Sequence, residues 1–153
     1  MAWRYIMKGT YCLIIENKET IKIKVGAIGQ VEFIDGIYIY VGSAMNSLIP
    51  RIKRHLNDKK KTHWHIDYLL KNPHTQIKEV LFTDSEKRIE CDLAKIISKN
   101  QKIIQNFGSS DCNCNSHLIY FKNFDEGIKI VKESYDKLNI EYYDLKYFNT
   151  EIK

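Results

Sequence analysis

The hydrophobic pattern divides the chain into a strand-rich front and a helix-rich remainder. Residues 9–16 (GTYCLIIE) form an apolar run that predicts a strand, with a turn at residues 17–19. Ile21, Ile23 and Val25 alternate with Lys22 and Lys24, which predicts a second strand with one face buried. Gly26, Gly29 and Gly36 punctuate the next stretch around a short strand at residues 31–34. A further strand covers residues 37–41, where Ile39 and Val41 alternate with Tyr38 and Tyr40, so tyrosines take one face and aliphatics the other. This front third reads as an antiparallel meander.

Period-four patterns follow. Leu48, Ile52 and Leu56 recur as the buried stripe of a basic helix over residues 47–56, with Ser43, Asn46 or Ser47 as its cap. Ile66, Leu69 and Leu70 fit a second helix that Asn72-Pro73 stops. Residues 77–82 read as a strand. Thr83 with Glu86 forms a capping box for a helix whose stripe is Ile89, Leu93, Ile96 and Ile97. Residues 106–117 are a polar, turn-rich loop, residues 117–121 a strand, and Ile128, Val131, Tyr135 and Leu138 one face of a helix. The aromatic, charged tail at residues 141–148 suits either an edge strand or partial disorder. The expected fold is therefore α+β: a small antiparallel sheet flanked by helices, with an extended N-terminal meander and a C-terminal helix. Residues 1–153 form one domain, with its core at about residues 9–121 and the helix and tail at residues 122–153.

Chemistry gathers where the strand at residues 37–41 passes through Gly42 into the basic helix. Arg51 and His55 stand four apart on one flank of that helix. Two phenols, a guanidinium and an imidazole beside a glycine turn suit a phosphate. Taken singly, each has a plainer reading, because a strand tyrosine is ordinary packing and a helical arginine a solvated face. Glu90 lies at the border of its helix's apolar stripe, where it either points into a cleft or pairs with a lysine at the rim.

Composition sharpens this slightly. The net charge is +5, a mild bias toward anionic partners. Its placement says more: Arg51, Lys53, Arg54, Lys59, Lys60 and Lys61 fall within eleven positions that contain one acid, Asp58. That is a candidate phosphate-backbone patch, or else a solvated helix and loop. No apolar run reaches the length of a membrane span and the start lacks signal-peptide organisation, so the expected setting is cytoplasmic, away from membranes, with reduced cysteines.

Cys91, Cys112, Cys114, His63, His65 and His117 are potential zinc donors. The Cys-x-Cys spacing departs from the usual knuckle and no second cysteine pair exists, which disfavours zinc. The plainer reading has Ser109, Ser110 and Asp111 folding the loop and the cysteines buried as small apolar residues. His63, His65 and Asp67 either cap and pack the start of their helix or face a cleft or DNA.

Gly9-Thr10-Tyr11 on one strand, Tyr40-Val41-Gly42-Ser43-Ala44 on another, Arg51-x-x-Arg54-His55 on a helix and Glu90 on a later helix together resemble the GIY-YIG nuclease superfamily. His63-Trp64-His65-Ile66-Asp67-Tyr68-Leu69 and the run at residues 109–117 resemble an uncharacterised prokaryotic branch of it, some members of which are fused to endonuclease III-like repair proteins. The resemblance spans residues 9–121. The literal triplet Gly36-Ile37-Tyr38 abuts Tyr40-Val41-Gly42 on one strand, whereas the superfamily places its two triplets on neighbouring strands. The first triplet is therefore assigned to Gly9-Thr10-Tyr11, with Thr in place of Ile and 28 residues separating Tyr11 from Tyr40. An extra strand pair fills that gap.

The resemblance implies metal-dependent endonucleolytic hydrolysis of DNA, in a repair setting beside a glycosylase or nuclease partner. By position, Glu90 holds one Mg²⁺ or Mn²⁺, Arg51 braces the scissile phosphate, and Tyr11 and Tyr40 orient or deprotonate the attacking water. His55 is the rival base, because its ordinary pKa of about 6.5 suits proton abstraction better than a phenol near 10. Lys53, Arg54, Lys59, Lys60, Lys61, His63 and His65 line the path of the nucleic acid. The alternative is a module of the same fold that binds nucleic acid without cutting it.

Overall fold

In the computed structural model, residues 7–57, 61–108 and 114–152 are described. Strands β1 (Gly9–Asn17), β4 (Gly36–Ala44), β5 (Thr75–Thr83), β6 (Lys102–Ile103) and β7 (Leu118–Phe121) form one antiparallel sheet in the order β5-β1-β4-β7-β6. Helices α1 (Leu48–Leu56), α2 (His65–Leu70), α3 (Glu90–Ser98) and α4 (Phe124–Lys137) flank it. The fold is α+β, as the pattern predicts.

The meander is split in two. β2 (Ile21–Val25) and β3 (Gly29–Phe33) pair only with each other, while β1 pairs directly with β4. Tyr11 thus stands opposite Gly42, and Tyr11 and Tyr40 lie on neighbouring strands. β2 and β3 each show half-buried and exposed residues in alternation, the mark of a hairpin that covers the sheet rather than extending it.

Strand alternation builds two cores. Tyr11, Leu13, Ile15, Tyr38, Tyr40, Val80 and Phe82 face α1, α2 and the β2–β3 hairpin through Leu48, Ile49, Ile52, Ile66, Leu69 and Phe33. Cys12, Ile14, Ile39, Val41, Leu81 and Phe121 face α3 and α4 through Leu93, Ala94, Ile97, Val131 and Tyr135. Both faces of β1 and β4 are therefore dry. Burying an aliphatic side chain of this kind contributes about 1.5–3 kcal/mol, which fixes the register, because a one-residue slip would exchange the two faces.

One helix start differs from expectation, and one expected cap makes no side-chain bond. α3 begins at Glu90, not after Thr83: Thr83 Oγ1 accepts from Ser85 N and Ser85 Oγ from Lys87 N, so these side chains fold a loop instead of a cap. α1 begins after Ser47, which makes no side-chain capping bond. The tail forms a single bridge between Tyr143 and Phe82 and then a helical turn (Leu145–Tyr147), with Phe148 inserted against Phe82. No helix among the described residues is long and apolar enough to cross a membrane.

Candidate active site

Where β1 and β4 approach α1 and α3, a cleft of about 290 Å³ opens, lined by Tyr11, Tyr40, Gly42, Ser43, Arg51, His63, Trp64, His65, Glu90, Gly108 and His117. Four of the five expected catalytic residues line this one cleft. The fifth, His55, is 2% exposed and sits behind Tyr11, its Nε2 2.7 Å from the phenol oxygen. It does not line the cleft, and it reaches it through the contact with the Tyr11 phenol. Tyr38, the other phenol of the β4 motif, donates to the Ile34 carbonyl and packs on Phe33 and Tyr120, away from the cleft.

Tyr11 reaches into the cleft because its strand neighbour has no side chain. A Cβ on Gly42 would lie 2.5 Å from Tyr11 Cζ, well inside van der Waals contact. Gly42→Ala should therefore displace the Tyr11 ring while leaving the strand paired. The expected cost is about 1–3 kcal/mol of stability, together with loss of the Tyr11–His55 hydrogen bond, read as a change in the His55 ring signals by NMR.

Electrostatics keep both phenols protonated in the free protein. Burial pushes the Tyr11 phenol well above its ordinary value, the Arg51 guanidinium pulls it back part of the way, and the Glu90 and Asp67 carboxylates push it up again. Burial also raises Tyr40, with Tyr11 and Glu90 adding to the rise and Arg51 opposing it.

Arg51 is held from two sides. It donates to the Ser43 carbonyl at 3.1 Å and lies 4.5 Å from the Trp64 ring centroid. Glu90, the first residue of α3, is gripped at both oxygens: Ser43 Oγ donates to Oε1 at 2.8 Å, and His117 Nδ1 lies 3.0 Å from Oε2. The Glu90 side chain remains 29% exposed, so it is reachable from the cleft. One reachable carboxylate in a cleft with room for water fits a hard, water-rich cation of the Mg²⁺ type.

The structure reassigns part of the basic patch. Arg54 forks onto Asp67, with Nη1 to Oδ1 at 3.0 Å and Nη2 to Oδ2 at 2.9 Å, and it also bonds the Lys61 carbonyl. Its guanidinium is thus a brace for the start of α2, not a free phosphate contact. Asp67 also accepts from the backbone N–H groups of His63 and Trp64. Burial pushes its carboxyl up, but the Arg54 and backbone hydrogen bonds outweigh burial and hold it below the usual range. Of the other expected contacts, Lys53 is half-buried on α1 and Lys61 exposed, whereas Lys59 and Lys60 lie outside the described residues. His63 and His65 line the cleft, and His65 Nδ1 accepts from Gly108 N at 3.0 Å. Burial lowers the His65 pKa, which favours that neutral, accepting form.

Sequence reasoning missed Ser43, Trp64 and His117 as parts of this site. Ser43 and Trp64 lie within recognisable motifs but carry no role signal of their own. His117 was visible only as part of the cysteine-rich run.

Among known proteins, the model of one family, a domain of unknown function designated DUF123, matches residues 10–140. Comparison with curated proteins and with solved structures gives no match.

Proposed function

Because the chain belongs to the DUF123 family, whose description carries no activity, its function must be argued from the site, and we propose a metal-dependent endonuclease that hydrolyses phosphodiester bonds in DNA. The observation that carries this reading is the convergence of Tyr11, Tyr40, Arg51 and Glu90 on one cleft. The arrangement supports the likeness to GIY-YIG nucleases drawn from the motifs.

The cleft geometry supports a role for each residue. Arg51, pinned by Ser43 and Trp64, presents a fixed planar fork to a phosphate and stabilises charge developing on it. Glu90 is the carboxylate that would hold Mg²⁺ or Mn²⁺, which when bound polarises the phosphate and acidifies water. Tyr11 takes the proton of the attacking water and passes its own to His55 Nε2, which accepts it when the ring proton is on Nδ1. In this reading phenol and imidazole act in series instead of competing. The buried phenol is too weakly acidic to ionise alone, and the imidazole is too deep to touch the water. Tyr40, at the same wall, orients that water. A repair setting and a glycosylase or nuclease partner belong to the same proposal.

The test is cleavage of labelled duplex, nicked, flapped and branched DNA with Mg²⁺ or Mn²⁺, and with chelator. Cleavage that requires the metal is the expected result. Tyr11→Phe should lower the cleavage rate about 10²–10⁴-fold with little change in DNA affinity. Salt-sensitive binding with no cleavage of any substrate would instead identify a non-catalytic nucleic-acid module.

A further inference from the structure

A second constellation lies beside the cleft, where the segment before β7 meets the first turn of α3. Cys91, at the first turn of α3, Cys114 and His117 bring two sulfurs and an imidazole nitrogen within 4.8 Å of one another. We propose that these three residues form a binding site for a thiophilic cation of the zinc class, which ties the segment preceding β7 to α3 and so holds His117 against Glu90.

The donor chemistry selects the ion. Two thiols and an imidazole favour zinc-like cations over Mg²⁺ or Ca²⁺, which take oxygen. Zn–S bonds of about 2.3 Å and Zn–N bonds of about 2.0–2.1 Å put tetrahedral donors roughly 3.5–3.8 Å apart. The observed grouping needs only side-chain adjustments of about an ångström to close on an ion. His117 is buried and the cysteines half-buried, so the site is shielded yet reachable. Among the described residues the protein donors number three, and a water or a further side chain completes a tetrahedron.

Of the six candidate donors, Cys91 comes from α3 and supplies the second thiol that the Cys-x-Cys spacing along the chain does not provide. The position of the cluster also gives it work to do. Backbone bonds from Asn106 N to Asn115 O and from His117 N to Phe107 O tie the two arms of this loop together at 2.8 Å each. The cluster then joins that loop to the helix that carries Glu90. An imidazole can bind a metal with one nitrogen and donate to a carboxylate with the other, which fixes the orientation of both. His117, 3.0 Å from Glu90, is placed for that double duty.

The inference does not depend on nuclease activity, and its test reads the metal itself. The full chain is purified under reducing conditions, without chelator, from cells supplied with zinc, and its metal content is measured. About one equivalent of zinc is expected. Cys91→Ser and Cys114→Ser should each fall to background, while Glu90→Gln, which keeps all three donors, should retain the ion. Cobalt(II) added to metal-stripped wild type should give thiolate-to-metal charge-transfer absorption, also retained in Glu90→Gln. Wild type without zinc or the cobalt signal, with all four thiols titrating as reduced, overturns the site. So does a Cys91–Cys114 disulfide in freshly isolated protein, or zinc retained in both cysteine variants. A protein that binds zinc through these residues but cleaves nothing keeps this inference and loses the nuclease reading.

Discussion

Metal-dependent cleavage should fall about 10³-fold or more in Glu90→Ala and about 10²–10³-fold in Arg51→Ala, measured as single-turnover rates on whichever DNA the wild type cuts. These are the largest functional losses expected, because neither side chain has a substitute in the cleft. Glu90 is the one carboxylate among the described residues that line the cleft, so nothing there takes its place. Arg51 is fixed by the Ser43 carbonyl and the Trp64 ring, and the neighbouring guanidinium of Arg54 is committed to Asp67. Arg51→Lys should recover little, since an ammonium has neither the planar fork nor the same stacking on Trp64. The two variants should differ in binding. Arg51→Ala weakens DNA affinity, whereas Glu90→Ala removes a negative charge and leaves affinity equal or tighter. Full activity in Glu90→Ala would remove the metal from the mechanism.

Asp67→Ala should be the most destabilising single change near the site, by about 3 kcal/mol, read by chemical denaturation. Asp67 is fully buried and accepts from two backbone N–H groups and both arms of Arg54. Arg54 is 27% exposed, which places the estimate at the low end for a broken buried pair. Arg54→Ala should cost less, about 2 kcal/mol, because the backbone donors to Asp67 remain. The double variant should cost less than the sum of the two. The pH dependence has a definite sign. The carboxyl titrates lower in the folded than in the unfolded chain, where its value is about 3.9. Its stabilisation is therefore complete above that value and is lost as pH falls through the folded one. Arg54→Ala should be less stable at neutral pH but should lose stability less steeply on acidification, since losing the guanidinium raises the folded value towards the unfolded one. A midpoint unmoved by either substitution would mean that the pair holds nothing in place.

The sequence alone determined the elements and much of the chemistry, because both follow from local periodicity. Tyr38 and Tyr40 alternate with Ile39 and Val41, and that alternation became the two faces of β4. The impossibility of two triplets on one strand placed Tyr11 on β1, opposite Gly42. Glu90 at the edge of an apolar stripe became a reachable carboxylate at a cleft. Only the tertiary structure decided which way the polar groups point, because partners distant in sequence compete for the same side chain. Arg54 looked like a phosphate contact until Asp67, on another helix, claimed it. His55 looked able to meet the attacking water directly until burial placed it behind Tyr11. Thr83 and Glu86 matched a capping pattern, but local hydroxyl bonds ended the loop differently and α3 began at Glu90. Cys91 joined Cys114 and His117 from a helix that no spacing rule links to them. Periodicity records how each segment meets the core. The choice of a polar partner depends on distances between segments, and those exist only once the chain is folded.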